Sequence, residues 1–302
     1  VKADCPHMLT TPPRLLLVHA HPDDESLWTG GTIARYAAAG VQVTLVTCTL
    51  GEEGEVYPPS LAGLAAGAAD QLGGYRVGEL RAACAALGVS DHRYLGGIGR
   101  WRDSGMVGTA GAASAPEVLH PRAFVAGPLD EQVAQLTEVI TEVRPQVVIT
   151  YGPDGGYGHP DHVRAHDVTA AALAGLPEVA RFYHVVSSAA DTAAGVALLP
   201  GFTGLPWALP APGDLAVVPD EVITHRVDVT DHLPAKLRAL RAHATQVAVW
   251  DGEGGEQSFS LTNGIAQPVL TRECYTLARG TSGGGGDLFA GLSPVEHRGA
   301  DR

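Results

Sequence analysis

Short apolar runs ending in polar turns alternate with segments of helical spacing from residue 14 to about residue 175, and no other feature constrains the fold as much. Arg14 to His19 reads as a strand, and Glu25 to Ala39, closed by Gly40, as the helix that follows it. Val41 to Thr49 is rich in β-branched residues and reads as a second strand, while Val77 to Leu87 has helical spacing and stops at Gly88. A helix over Leu129 to Val143 ends at Arg144-Pro145, a buried strand covers Val147 to Tyr151, and another helix covers Val163 to Leu173. Repetition of this unit predicts an α/β fold, a Rossmann-like, mostly parallel sheet with helices on both faces.

From about Phe182 the pattern weakens, with strands expected at Tyr183 to Ser187 and Ile223 to Val229 and a helix from His232 to Thr245. The expected organisation is a disordered N-terminus or tag remnant over 1–13, a catalytic core over 14–175, a C-terminal elaboration completing the same domain over 176–282, and a flexible tail over 283–302. That tail opens on Gly283 to Gly286, which can bury little.

Composition removes several functional classes. Charged residues are 18% of the 302 and hydrophobic ones 45%, against roughly 25% charged in a typical globular chain, which argues for a packed core rather than disorder. A net charge of −13 repels nucleic acid and anionic membranes. Apolar runs fall well short of the ~18 residues that cross a bilayer, so no membrane anchor is expected. Four widely spaced cysteines without a C-x-x-C pair fit a reducing cytoplasm, and neither a zinc knuckle nor a disulfide framework.

In doubly wound sheets, ligands sit beyond the carboxyl ends of the strands. His21-Pro22-Asp23-Asp24 lies directly after the first strand, and His159-Pro160-Asp161-His162 follows the strand ending at Tyr151. A catalytic zinc site takes three ligands from His, Asp or Glu and leaves one position open. An aspartate at a helix start also serves as a cap. Capping accounts for one aspartate, but not for two adjacent ones behind His-Pro and matched by a second His-Pro-Asp-His loop. His162 and His166 are four apart, yet Val163 stands where a zincin carries its glutamate. The chain has no phosphate-binding P-loop and no G-x-S-x-G elbow, and Gly97-Ile98-Gly99 runs into Arg100-Trp101 instead of completing a dinucleotide fingerprint.

Ala20 to Glu25 together with Gly158 to His162 resembles the PIG-L/LmbE-like zinc-dependent N-deacetylases, which remove acetyl groups from N-acetylglucosaminyl compounds. Thr47 to Glu55, Asp70 to Arg76 and Gly99 to Met106 resemble the mycothiol-pathway branch of that family, which acts on N-acetylglucosaminyl-inositol. The likeness covers about residues 14–175 and returns around Ala242 to Val249. It implies one Zn²⁺ per chain held by His21, Asp24 and His162; Fe²⁺ is the alternative that such a donor set also suits. Asp23 is then the base, and His159 stabilises the oxyanion or protonates the departing amine. Tyr157 adds a phenol donor, and Asp161 fixes a histidine tautomer. Arg76 and Asp103, joined by Glu55, are the implied polyol-binding residues. Trp28 departs from the pattern, standing where smaller polar residues are expected, and either stacks on a sugar or enters the core. Two rival activities use the same machinery: cleavage of mycothiol S-conjugates by an amidase, and deacetylation of a secondary metabolite. A sugar-binding module without turnover has no use for Asp23 and His159 beside the metal ligands.

Overall fold

The computed structural model describes residues 12–108 and 113–292. The first half runs β1 (Arg14–His19), α1 (Asp24–Ala38), β2 (Gln42–Thr47), α2 (Leu72–Leu87), β3 (Asp91–Tyr94), α3 (Leu129–Val143), β4 (Val147–Tyr151) and α4 (Pro160–Ala174). The second half runs β5 (Arg181–Val186), α5 (Ala189–Val196), β6 (His225–Asp228), α6 (Leu233–Ala242), β7 (Ala248–Asp251), β8 (Gln257–Ser260), β9 (Ala266–Pro268) and β10 (Arg272–Arg279).

Seven strands form one sheet in the order β3-β2-β1-β4-β5-β10-β6. The first five are parallel, and β10 enters antiparallel between β5 and β6. Leu15, Leu16, Leu17 and Val18 of β1 are fully buried, as a central strand covered on both faces must be; truncating one of the leucines to alanine is worth about 2–5 kcal/mol. Right-handed crossovers put the helices of the two chain directions on opposite faces: α1, α2 and α6 pack together, and α3 packs on α4.

Strand order reverses between β1 and β4, which pair directly through Leu17 and Ile149. The turns leaving these two strands therefore open into the same crevice, the position where doubly wound sheets hold ligands. Local chemistry fixes the helix ends around it. Pro160 opens α4, where its missing N–H is no loss, and Gly88 closes α2 in the left-handed conformation.

Several elements depart from the sequence expectation. Helix α2 starts at Leu72, five residues before Val77, and its first turn takes in Gly73, which lies against Glu52 where a Cβ would meet Cγ at 2.6 Å. Strand β3 reads Asp-His-Arg-Tyr and has no apolar signature. β7, β8 and β9 form a separate antiparallel sheet. The expectation that the stretch from residue 283 buries little is corrected for its described part. Leu288 is fully buried, its amide donates to the Tyr36 hydroxyl at 2.7 Å, and its carbonyl accepts from Arg181 at 2.6 Å. Residues 1–11 and 293–302, most of the expected N-terminal segment and half of the expected tail, lie outside the described residues. Among the described residues no helix is long and apolar enough to cross a membrane.

Candidate active site

His21 and Asp24 come from the turn between β1 and α1, and His162 from the first turn of α4. Three of their atoms converge. Asp24 Oδ2 lies 3.4 Å from His21 Nδ1 and 3.3 Å from His162 Nε2, and the two nitrogens are 3.3 Å apart. Four ligands in a tetrahedron with bonds of roughly 2.0–2.1 Å stand about 3.3–3.4 Å from one another, so this triangle has the dimensions of a divalent-metal site with one position left open.

The remaining ring nitrogens make the same point. His162 Nδ1 faces the Gly155 carbonyl at 3.1 Å, which can only accept, so the proton sits there and Nε2 presents its lone pair. His21 Nε2 faces Asp161 Oδ2 at 3.2 Å, which leaves Nδ1 free in the same way. Two lone pairs and a carboxylate oxygen pointing at one spot repel each other unless a cation or proton sits among them. Burial lowers the His21 pKa, but Asp103, Asp161 and Asp24 outweigh it and hold the imidazole ready for positive charge. His21, His159 and His162, and His21, Asp103 and Asp161, also bring donor atoms within 4.8 Å. The first set takes in His159, whose Nδ1 accepts the Asp161 amide. The second uses the His21 nitrogen that already faces Asp161. Neither offers three free donors.

Asp23 stands at the N-cap of α1, yet its side chain makes no capping bond. Its backbone has φ 111°, a conformation that for a non-glycine residue costs about 1–3 kcal/mol and is retained where function needs it. The carboxylate lies 3.1 Å from Arg76, and its side chain is 14% exposed. Loss of hydration pushes its pKa up to about 6, with Asp24 adding to the rise and Arg76 opposing it. A carboxylate that titrates near neutrality is suited to taking and returning a proton.

Residues 16–173 match the family described as PIG-L, GlcNAc-PI de-N-acetylase. The chain belongs to the PIG-L family. It is 65% identical over 285 residues to an Actinosynnema mirum protein named 1D-myo-inositol 2-acetamido-2-deoxy-alpha-D-glucopyranoside deacetylase, covering 94% of this chain and 99% of that one. A Saccharopolyspora erythraea protein of the same name, numbered 1, is 61% identical over 94% of this chain and 96% of its own. A solved deacetylase–teicoplanin complex from the teicoplanin biosynthesis pathway shares the fold, with a TM-score of 0.52 and 19% identity over 88% of this chain and 98% of that one.

In this PIG-L chain His159 lies beside the metal triangle, its ring 4.6 Å from that of His21. It caps α4: Nδ1 accepts the Asp161 amide at 3.1 Å, so the imidazole proton is on Nε2. Burial, followed by His21 and His162, lowers its pKa to about 2. It is therefore a neutral hydrogen-bond donor. Tyr157 lies edge-on to His162 at 5.0 Å and to His159 at 6.0 Å. Asp103 is brought to the same cluster, with Oδ1 3.6 Å from His21 Nε2. Asp161 is fully buried and accepts both His21 Nε2 and the Ser104 amide.

Two of the expected polyol residues differ in their surroundings. Arg76 is buried at 2% exposure, and its guanidinium bonds the Gly51 and Pro22 carbonyls as well as facing Asp23. Glu55 is exposed, and only its backbone carbonyl is engaged among the described residues, by Gln246. Its neighbour Glu52 is the buried acid, accepting the Asp103 amide at 2.9 Å. Trp28 packs against the core beneath Gly156 and edge-on to Tyr151. Sequence reasoning passed over Tyr151, which stacks on His162 at 4.0 Å and accepts the Ala20 amide through its hydroxyl. Its place at the carboxyl end of β4 was the available signal.

Proposed function

We propose that this chain hydrolyses the acetamide of N-acetylglucosaminyl-inositol, releasing acetate and glucosaminyl-inositol, as in mycothiol biosynthesis. The observation that carries this reading is end-to-end identity of 65% to a protein named for that substrate, together with a three-ligand triangle of zinc dimensions at the sheet's reversal point. His21, Asp24 and His162 would hold one Zn²⁺, or Fe²⁺, per chain. When bound, such an ion supplies Lewis acidity, bringing a water's pKa near neutrality and polarising the acetyl carbonyl.

Asp23 takes a proton from the attacking water. The His159 Nε2–H donates to the oxygen of the tetrahedral intermediate, with the Tyr157 phenol as a second donor. A neutral His159 would have to become an imidazolate to give its only proton away. The proton for the leaving amine therefore comes back from Asp23, whose raised pKa makes it an adequate acid, and the C–N bond breaks as the amine receives it. Asp161 keeps His21 in the tautomer that frees Nδ1. Arg76 orients Asp23, and Arg76, Asp103 and Glu55 would contact the polyol portions of the substrate.

The test is a substrate panel with metal-loaded protein, following acetate release. Our reading expects kcat/KM to be highest for N-acetylglucosaminyl-inositol and lower for N-acetylglucosamine, which lacks the aglycone contacts. Preference for a cysteine-conjugated mycothiol would move the assignment to the amidase, and equal rates on all three would remove Arg76, Asp103 and Glu55 as specificity residues.

A further inference from the structure

Glu25 and His243 form a buried pair directly behind Asp23, and neither belongs to the metal triangle. Glu25 is 1% exposed and His243 fully buried. Glu25 Oε2 accepts the Asp23 backbone amide at 3.0 Å, while Oε1 accepts Ser26 Oγ–H at 2.5 Å and faces His243 Nε2 at 2.7 Å. His243 arrives from 218 residues away at the end of α6, where its backbone is anchored by the Leu240 carbonyl and by the Gln246 and Val247 amides. Its other ring nitrogen, Nδ1, is buried and meets no hydrogen-bond partner among the described residues.

Ordinary helix capping explains one carboxylate oxygen on a first-turn amide. It does not explain a fully buried histidine brought 218 residues along the chain to meet that carboxylate. The amide being held belongs to the residue with φ 111°. Asp23 is gripped on three sides: its amide by Glu25, its carbonyl by the Ser26 and Leu27 amides at 2.9 Å, and its carboxylate by Arg76. Were the amide released, the peptide could relax to an ordinary N-cap conformation, and the carboxylate would turn toward the first-turn amides of α1, where a capping aspartate bonds.

We propose that Glu25 and His243 are positioning residues that hold the Asp23 peptide in its strained conformation, so that the carboxylate faces the metal site instead of capping α1. This rests on Asp23 being the base of the deacetylation. It also gives the C-terminal region a part in catalysis, since the hydrogen bond crosses from α6 to the turn after β1.

A double-mutant cycle tests it, with acetate release, bound metal and thermal midpoint measured on each protein. His243→Ala alone should lower kcat about 10- to 100-fold, the size of a small displacement of a reacting group, with KM and metal content near wild type. His243→Gln, whose amide can still donate to Glu25, should recover most of that loss. In an Asp23→Asn background His243→Ala should change kcat less than about twofold, because the group it positions is gone. If His243→Ala does not fold, Glu25→Asp, which keeps the charge but shortens the reach, takes its place in the same cycle. Full multiplication of the two losses, or a loss confined to KM or metal content, overturns the positioning role and leaves Asp23 as the base. Near-normal turnover by Asp23→Asn alone would overturn the base assignment, and the positioning role with it.

Discussion

The turns after β1 and β4 are built from nearly the same residues, His-Pro-Asp-Asp and His-Pro-Asp-His, and each begins a helix at the reversal of the sheet. They solve the helix start differently. His159 adopts an ordinary extended conformation, φ −60° and ψ 127°, and uses its side chain to cap α4. Asp23 holds φ 111° and leaves its cap bond unmade. The cap fixes the His159 tautomer and makes that residue a steady donor. The missing cap keeps the Asp23 carboxylate available, and Arg76, Glu25 and His243 hold the strain that results. Similar sequence thus yields one side chain tied to its own helix and one left free of it, which on the proposed function are the donor and the base.

Breaking the joint between the two turns should have the largest effect. His162→Ala removes the only ligand of the triangle from the β4 side, and elemental analysis should find the single divalent ion lost together with turnover; undiminished metal in that variant would separate the triangle from the metal. Next comes the donor. His159→Ala should lower kcat by about 10²–10³, the range for one oxyanion donor, with the ion retained. A variant that loses its ion instead would make His159 a ligand. The smallest effect sharpens the comparison from behind: Asp161→Asn leaves the triangle intact but weakens the hold on His21 Nε2, and metal affinity should fall about 10- to 100-fold. Titration with a competing chelator reads that change, and wild-type affinity would show that His21 needs no such partner.

The parallel core and both histidine turns were legible because their signals are local: β-branched runs, helical spacing, and His-Pro-Asp at strand ends. β10 was not, because its place between β5 and β6 is set by pairing with residues 44 and more positions away and its own alternation is weak. Leu288 was hidden by its glycine-rich neighbours, since the groups that bond its backbone, Tyr36 and Arg181, lie far away in sequence. Motif spacing pointed to the histidines and aspartates of two loops, and only the family resemblance picked His21, Asp24 and His162 among them. Which nitrogen each histidine presents was not legible, because Gly155 and Asp161 decide it in three dimensions. Arg76 read as a polyol contact through the family resemblance; that a partner of its guanidinium is Asp23 follows only from the close approach of α2, where Gly51 leaves room for it.

The contrast between a fixed donor and a proton-exchanging base is tested most directly by the pH profile of kcat/KM for wild-type and Asp23→Asn proteins, with bound metal measured on the same samples. Asp23 has its pKa raised to about 6, so its base form is present above that value and the wild-type rate should fall as pH drops through it. Asp23→Asn should keep one ion per chain, lose about 10²–10⁴ in kcat, and lose the acid limb of the profile. Wild-type turnover with an unchanged acid limb in Asp23→Asn would contradict the account.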